Sequence, residues 1–463
     1  MLPQSPPDAV PSVSSPSAIL CTCAALFGLL AAVVLSPDSL VSADSLQLPA
    51  SCLAAALVFG PLVSMIRDSR AILHPTSLML LGLCYWILLD LVQALHSFDQ
   101  INPAAVPGSF MAIALFASGL SISHFLPPLK FPATLGNAAS LQFDSKLMLK
   151  VSIVAFALSF LRFAIPSNFD IPAMFEALKG NRWSAPWARG QLGGWDAFID
   201  HLAYFGYFLP TISAAIYRLD KRVSGRLVLS ILLAVTIAMF IAQGGGRRTV
   251  GAMVLSASVF LTLTSKHPLR TMAKVILAVI PLLLTFLQAI LFARGSGYED
   301  LFDYLSSGET LEGGVRVDDN FIRLSQIIEI IPAHAAHTGF RWVVWVLSRP
   351  IPRVFWEGKP IDPGFDLPVH LGMEGVSLSS SIVGESYMAF GYFGCVVIGV
   401  LYGAVGRGFK EYLDRNGQFS GLVIYTAGLL ALFVGLRSGI ELVLFSYVIL
   451  AWIAAVSIIR RFR

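Results

Sequence analysis

Charged side chains are scarce in this sequence. Asp, Glu, Lys and Arg make up only 13% of its 463 residues, whereas a soluble protein carries about 25%. Apolar runs of about 18 residues or more recur along the chain, and a run of that length crosses a bilayer as a helix. A large soluble protein is therefore excluded. A membrane β-barrel is excluded as well, because its apolar segments would be short and alternating.

Cysteine is also scarce. The five cysteines, Cys21, Cys23, Cys52, Cys84 and Cys395, lie in apolar runs, which predicts small core residues rather than disulfides or a metal site. The sequence has no P-loop, no HExxH and no Rossmann glycine pattern, and no Asp-x-Asp lies in a predicted cytoplasmic connection. We therefore expect no metal and no nucleotide cofactor. The net charge of +4 is too small to indicate nucleic-acid binding.

The apolar runs predict a single integral membrane domain, residues 1–463, that is all-α and crosses the membrane about twelve times. The first sixteen residues contain no Lys or Arg, so we expect no cleaved signal peptide. The predicted spans are 17–36, 48–66, 75–95, 108–126, 147–166, 197–217, 226–243, 249–265, 271–293, 384–406, 420–436 and 439–459.

Basic residues predict the orientation of these spans. They recur on alternate connections, and cytoplasmic connections are the ones enriched in Lys and Arg. Both termini are therefore expected in the cytoplasm. Two outer loops, residues 167–196 and 294–383, nevertheless carry basic side chains. These include Lys179, Arg182 and Arg189 in the first loop, and Arg294, Arg353 and Lys359 in the second.

The larger outer loop is predicted to be folded rather than a linker. Residues 320–331 place apolar side chains at helical spacing, which indicates an amphipathic helix on the membrane surface. Residues 349–360 are cationic, aromatic and stiffened by proline. Arginine binds phosphate and carboxylate groups through a planar, permanently charged fork. We expect this segment to face an anionic ligand, although its arginines would also suit solvated ions or partners of loop carboxylates.

The sharpest short motif is the run from Gly244 to Arg248. Three glycines allow a tight turn and close approach of a ligand, and the helix that follows begins with two arginines. A helix N-terminus favours anions, whereas adjacent arginines are costly close to the bilayer core. The motif therefore predicts an anion site, and the alternative is a plain tight turn with snorkelling arginines.

Glu385 lies at the outer start of the tenth predicted span. A carboxylate there suits a general base toward a sugar hydroxyl, a partner for an arginine, or an acid stabilised by the helix dipole. His370, earlier in the loop, is a second candidate proton acceptor or a solvated side chain. Arg437 and Glu441 stand four residues apart and are expected to pair locally.

At these motifs the chain resembles the O-antigen or oligosaccharide repeat-unit polymerase family of the Wzy type, over roughly residues 140–410. Both outer loops also contain an Arg-x10-Gly spacing. The resemblance implies a fold similar to the GT-C type membrane glycosyltransferases, with short amphipathic helices in the large extracytoplasmic loop. The motif residues are the Gly-Arg turn at 244–248, Ile351-Pro352-Arg353…Trp356…Lys359-Pro360, and Ser381…Gly384-Glu385…Tyr387…Phe390-Gly391-Tyr392…Gly394.

The family implies a metal-independent glycosyltransferase of the bacterial inner membrane, with no cofactor. Its substrates are oligosaccharides linked to undecaprenyl pyrophosphate, and its partners include the bilayer, a chain-length regulator and a flippase. A growing chain would be the donor, and a sugar hydroxyl of a new repeat would attack it. The implied catalytic residues are Glu385, Arg353, Arg248 and His370. The implied substrate-binding residues are Arg247, Arg294, Arg182, Arg189, Lys359 and Tyr387.

Three other functions fit parts of the sequence. A ligase of the same fold would transfer a finished glycan to another acceptor and would use a loop histidine near an arginine, for which His370 is a candidate. A flippase would place charges inside its spans around a midplane site. A non-catalytic scaffold would not need the arginines. The concentration of charge at the outer rim favours an enzyme.

Overall fold

The computed structural model describes residues 13–132, 143–188, 194–244, 246–296, 306, 314–351, 353–373, 378–416 and 419–461. These residues form helices and connecting turns, with no strand among them. Eight of the described helices are long and apolar enough to cross a membrane. The chain is therefore a polytopic helical membrane protein. The eight helices are Ala43–Arg67, Pro75–Val92, Pro103–Phe125, Ser145–Ala164, Gly225–Gln243, Pro268–Ile290, Ser381–Arg415 and Gly439–Ile459.

Ten of the twelve predicted spans coincide with apolar helices. Eight are the helices above. The other two, predicted at 17–36 and 420–436, are helices of 17 residues, Ala18–Val34 and Phe419–Gly435. The count of twelve spans stays a prediction, because the remaining two predicted spans, at 197–217 and 249–265, do not form long apolar helices.

The two remaining segments differ from simple spans for visible reasons. The segment predicted at 197–217 is divided into the 3₁₀ turn Gly194–Ala203 and the helices Tyr204–Tyr207 and Leu209–Asp220. Pro210 has no N–H to continue the preceding helix, so a new helix begins around it. The segment predicted at 249–265 is the 17-residue helix Arg247–Leu263, which opens with two arginines.

The centre of the bundle is the contact between the helices Val106–Ile122 and Ser381–Arg415. Small residues make it possible: a side chain at Gly119 would collide with the Val396 carbonyl oxygen, and one at Gly399 with the Phe116 carbonyl oxygen. Membrane helices pack closely through such small residues. The contact holds Ser381–Arg415, hereafter the broken helix, in the middle of the molecule.

The broken helix is interrupted at Phe390–Gly391, where Gly391 has φ 64°. The interruption leaves carbonyl groups of the preceding turn without helical partners. The Met388 and Ala389 carbonyls instead accept N–H bonds from Thr338 and Gly339, each at 3.0 Å. The predicted Phe-Gly-Tyr motif is thus a helix break whose backbone is satisfied by the large loop, as backbone away from water requires.

A helix forms at Asn320–Ile330, as predicted, but its expected position on the membrane surface is wrong. Residues 320–327 are buried without interruption, and the helix packs against Val106–Ile122 and the broken helix. Its arginine tolerates this position because Arg323 Nη1 donates to Gln326 Oε1 at 2.9 Å. The periodic apolar residues indicated the helix correctly. They did not show that neighbouring elements also bury its polar residues from Asn320 to Gln326.

The short helix Phe340–Leu347, hereafter the loop helix, is amphipathic. Trp342 and Val346 are buried against the bundle, whereas Phe340 and Leu347 are exposed. Apolar side chains on the outer face and a Trp-rich composition are typical of a helix at a membrane interface. The large loop therefore contributes folded elements that pack onto the spans.

Connections predicted to share one side of the membrane meet at one end of the bundle. The Arg70 guanidinium donates to the Ser265 carbonyl at 3.3 Å, and that of Arg218 to the Leu261 carbonyl at 2.6 Å. The first bond joins two connections that the basic residues assign to the cytoplasm, and the second joins the last turns of the helices Leu209–Asp220 and Arg247–Leu263, which lead into such connections. The connections assigned to the outside meet one another at the other end. Which end faces the cytoplasm stays a prediction.

Candidate functional site

The helix Gly225–Gln243 ends at Gly244, and Gly246 lies close against the last turn of that helix. The Gly246 N–H donates to the Ile241 carbonyl at 3.1 Å, and a Cβ on Gly246 would lie only 2.6 Å from that oxygen. A residue with a side chain at position 246 would therefore force the backbone apart. The next helix begins at once, so Arg247 and Arg248 occupy its first turn.

The first outer loop is attached beside the end of the helix Gly225–Gln243. Gln243 Oε1 accepts a bond from Trp187 Nε1 at 3.0 Å, and Gln243 Nε2 donates to the Asn181 carbonyl at 3.2 Å. The Arg182 guanidinium lies 4.1 Å from the centre of the Trp183 ring. Because the loop is fastened through Gln243, Arg182 belongs to the same end of the bundle as Arg247 and Arg248.

Two carboxylates hold three arginines together in what is hereafter the arginine cluster: Arg247, Arg248, Asp318, Arg437 and Glu441. Arg248 Nη1 lies 2.6 Å from Glu441 Oε1, and Arg437 Nη1 lies 3.5 Å from the same oxygen. Arg437 Nε lies 2.6 Å from Asp318 Oδ2, and Arg247 Nη2 lies 3.6 Å from Asp318 Oδ1. The five side chains are between 15% and 25% exposed, and their charges sum to one positive charge.

Asp318 is held in place by its backbone. It lies in Val315–Asp319, hereafter the strap. The side-chain amide of Gln93 accepts from the Val315 N–H at 2.9 Å and donates to the Val315 carbonyl at 3.0 Å. Asp90 Oδ1 accepts a second strap N–H at 3.1 Å. The strap therefore presents Asp318 to the arginines from a fixed position.

Glu385 is buried next to the arginine cluster, with 3% of its surface exposed. Its Oε2 accepts the Gly439 N–H at 2.9 Å and the Trp342 Nε1–H at 3.0 Å. A Cβ on Gly439 would lie 3.2 Å from that oxygen and 3.1 Å from the Trp342 ring. Glu385 thus joins the loop helix to the turn that carries Arg437.

Arg353 and Lys359 lie on a separate part of the large loop. Arg353 is exposed, and its 3₁₀ turn packs against the 3₁₀ turn Gly194–Ala203, which begins at the end of the first outer loop. Lys359 Nζ donates to the Arg349 and Ile351 carbonyls at 3.1 and 2.8 Å. Burial lowers the pKa of Lys359, and the neighbouring guanidinium groups of Arg349 and Arg353 lower this pKa further. The Lys359 ammonium therefore fastens the proline-rich segment.

His370 and Tyr387 also lie apart from the arginine cluster. His370 is exposed, its ring is stacked on Phe365, and its Nδ1 lies 2.9 Å from a backbone carbonyl one turn earlier. Tyr387 is buried, and its hydroxyl donates to the Ile331 carbonyl at 3.2 Å. Two further predicted residues, Arg189 and the side chain of Arg294, lie outside the described part of the chain.

The fold thus places Glu385 against the segment from Leu436 to Gly439, hereafter the arginine turn. Arg247 and Arg248 are linked to Arg437 of this turn through Asp318 and Glu441. Arg437 and Glu441 do pair locally, as predicted, but each makes a shorter contact with another residue. Sequence reasoning left Arg437 out of the site. One signal could have included it: like the arginines of the motif at 244–248, Arg437 lies close to glycines at a predicted outer helix end.

Comparison with known proteins gives no match: no family model, no curated protein and no solved structure is similar to the chain. The class of this protein therefore follows from its own fold and site. The protein is a helical membrane protein with a partly exposed cluster of arginines at one end of its bundle.

Proposed function

We propose that the protein joins oligosaccharide repeats linked to undecaprenyl pyrophosphate into a long-chain polysaccharide, at the outer face of a bacterial inner membrane. The observation that carries the proposal is the arginine cluster, in which Arg247, Arg248 and Arg437 meet at the predicted outer end of the bundle. The motif resemblance points to the same activity. The proposal includes about twelve spans, a fold of the GT-C type and cytoplasmic termini.

In this reaction negative charge develops on the leaving pyrophosphate, which the arginines would contact. A hydroxyl oxygen of the incoming repeat forms a bond to the anomeric carbon of the growing chain and gives its proton to a base, for which His370 is a candidate. The bond from that carbon to the pyrophosphate oxygen breaks, and the pyrophosphate leaves with the electron pair. Guanidinium groups held in position stabilise this leaving group, and each hydrogen bond to a charged group contributes about 1.5–3 kcal/mol.

The carboxylates prepare the cluster for an anion. An Arg guanidinium has several N–H donors, and the contact of Arg248 with Glu441 uses its Nη1 alone. Asp318 and Glu441 keep the cationic groups from repelling one another. Arg247 Nη1 and Nη2 donate to the Arg316 and Val317 carbonyls, so the further donors for a ligand come mainly from Arg248 and Arg437. The remaining positive charge and the partial exposure of the side chains favour binding of a pyrophosphate from the membrane surface.

The other predicted residues have supporting roles in this proposal. Arg353 lies on an exposed loop turn beside the first outer loop and suits contact with the saccharide or with the pyrophosphate of the incoming repeat. Arg182 lies next to the loop attachment at Gln243 and suits the same task. We retain Arg189, Arg294, Lys359, Tyr387 and His370 as candidates for substrate contacts. His370 is exposed to solvent and suits proton transfer.

A deletion strain tests the proposal through glycan length. The proposal predicts single capped repeats on the surface of the deletion strain, and the same product from strains carrying Arg248→Ala or Arg353→Ala. No capped product would indicate a ligase instead, and lipid-linked repeats held in the inner leaflet would indicate a flippase. Long chains from Arg248→Ala would refute the pyrophosphate assignment. Arg341→Ala is the matched control, because Arg341 is exposed and pairs with Asp362 at 2.9 Å.

A further inference from the structure

We infer that Arg437 is a third binding residue for the diphosphate group of the lipid-linked donor, and that Glu385 is a positioning residue that holds Arg437 in place. The inference rests on the proposed function, and it assigns to Glu385 a role other than that of general base. The inference adds Arg437 to the ligand-binding residues. It also explains how the broken helix and the large loop support the site.

Arg437 occupies the middle of the arginine cluster. Its guanidinium contacts the carboxylate that pairs with Arg247, and also the carboxylate that pairs with Arg248. The side chain is 19% exposed, as is that of Arg247. An anion that reached both Arg247 and Arg248 would therefore meet Arg437 between them. Diphosphate groups present several oxygens and suit recognition by more than one planar guanidinium.

The start of the broken helix, together with Ser379 just before it, holds the arginine turn at three points. The Ile382 N–H donates to the Leu436 carbonyl at 2.9 Å, and the Ser379 hydroxyl donates to the Arg437 carbonyl at 3.3 Å. The third point is the bond from the Gly439 N–H to Glu385 Oε2. These bonds lie on both sides of Arg437, so they determine the direction in which its side chain leaves the backbone.

Glu385 is poorly placed to remove a proton from a sugar. Its carboxylate is buried, and its Oε2 is already the acceptor of two N–H bonds. A general base must lie within hydrogen-bond reach of the substrate hydroxyl, and a carboxylate that is 3% exposed gives a sugar no direct access. The Trp342 indole covers the carboxylate from the side of the large loop. Glu385 instead provides an oxygen that accepts hydrogen bonds from both the loop helix and the arginine turn.

Substitution of Glu385 separates the two roles. Glu385→Gln keeps an oxygen acceptor for Gly439 and Trp342 but has no basic carboxylate, whereas Glu385→Ala loses both. We expect Glu385→Gln to make long chains and Glu385→Ala to make short ones. Purified Glu385→Gln should bind inorganic pyrophosphate like the unaltered protein. If Glu385→Gln is as inactive as Glu385→Ala although it binds pyrophosphate normally, Glu385 is the proton acceptor and the positioning role is wrong.

Substitution of Arg437 tests the binding role directly. Loss of one charge-assisted contact should weaken pyrophosphate binding roughly 10- to 100-fold in Arg437→Ala. Arg437→Lys should bind with intermediate affinity, because it keeps the charge without the planar fork. Thermal unfolding of each purified variant controls for folding, and the conservative Arg437→Lys keeps the test decisive where Arg437→Ala unfolds. Arg341→Ala should bind as the unaltered protein does.

The outcomes distinguish this inference from the proposed function. If Arg437→Ala and Arg437→Lys bind pyrophosphate normally while Arg248→Ala does not, the role of Arg437 is refuted and the proposed function stands. If Arg248→Ala also binds normally and makes long chains, the proposed function fails together with the inference.

Discussion

Replacement of Asp318 by asparagine should tighten anion binding at the arginine cluster and reduce the stability of the fold. Asp318 contacts Arg247 and Arg437, at 3.6 and 2.6 Å, and it competes with any anion for these groups. Asparagine has nearly the same shape and keeps a carbonyl oxygen toward Arg437. The substitution therefore removes a charge without opening a space.

The magnitude follows from Coulomb's law. A carboxylate about 5 Å from a bound phosphate, at an effective dielectric constant of about 20, repels one phosphate charge by roughly 3 kcal/mol. The side chains of the arginine cluster are about one fifth exposed, and solvent and salt reduce the effect to about 1 kcal/mol. Binding of inorganic pyrophosphate should therefore strengthen about fivefold. The lost ion pairs should lower the free energy of unfolding by about 1–2 kcal/mol.

Isothermal titration of the purified protein with pyrophosphate, together with thermal unfolding in the same buffer, measures both effects. Higher salt should reduce the gain in affinity. Asp362→Asn is the matched control, because Asp362 pairs with Arg341 outside the arginine cluster and should leave pyrophosphate binding unchanged. Unchanged or weaker binding by a folded Asp318→Asn protein would show that the anion does not bind between Arg247 and Arg437.

Three glycine substitutions extend the test to the backbone: Gly246 beside the site, Gly394 near the helix break and Gly225 at the far end of the helix Gly225–Gln243. Thermal unfolding is the measurement. Gly246→Ala should cost about 1–3 kcal/mol of stability and also shorten the glycan chains, because its Cβ would lie 2.6 Å from the Ile241 carbonyl oxygen and displace the arginine-bearing helix. Gly394→Ala should be similarly destabilising, because its side chain would collide with the Ser386 carbonyl oxygen below the helix break. Gly225→Ala has open space and should be neutral or stabilising by about 0.5–1 kcal/mol. Equal effects at all three positions would contradict this interpretation of the close contacts.

The helices were predictable because length and apolar composition determine them locally. Eight predicted spans coincide with long apolar helices of the described chain. The segment at 197–217 was harder, because its total hydropathy suits a span while Pro210 divides it into shorter helices. The environment of Asn320–Ile330 was not predictable either. Its periodicity indicates a helix, but only the arrangement of the surrounding elements shows that both faces are buried from Asn320 to Ile327.

The site was predictable only where it is local. The Gly-Arg motif carries its own signal, since three glycines precede two arginines. The partners of these arginines come from distant parts of the chain: Glu441 is 193 residues from Arg248, and Asp318 is 119 residues from Arg437. Contacts of such separation depend on the packing of the helices, which no local pattern encodes. For the same reason the four-residue spacing of Arg437 and Glu441 predicted their mutual contact at 3.5 Å. It did not predict the shorter contacts of Arg437 with Asp318 and of Glu441 with Arg248.

Reconstitution with a lipid-linked repeat tests the central claim most directly. Purified protein in lipid nanodiscs would be given undecaprenyl-pyrophosphate-linked repeats as its only substrate. The proposal predicts a ladder of glycan lengths, with one undecaprenyl pyrophosphate released for each new bond, and neither product from Arg248→Ala. Repeats that remain single with the unaltered, folded protein, or an equal ladder from Arg248→Ala, would contradict it.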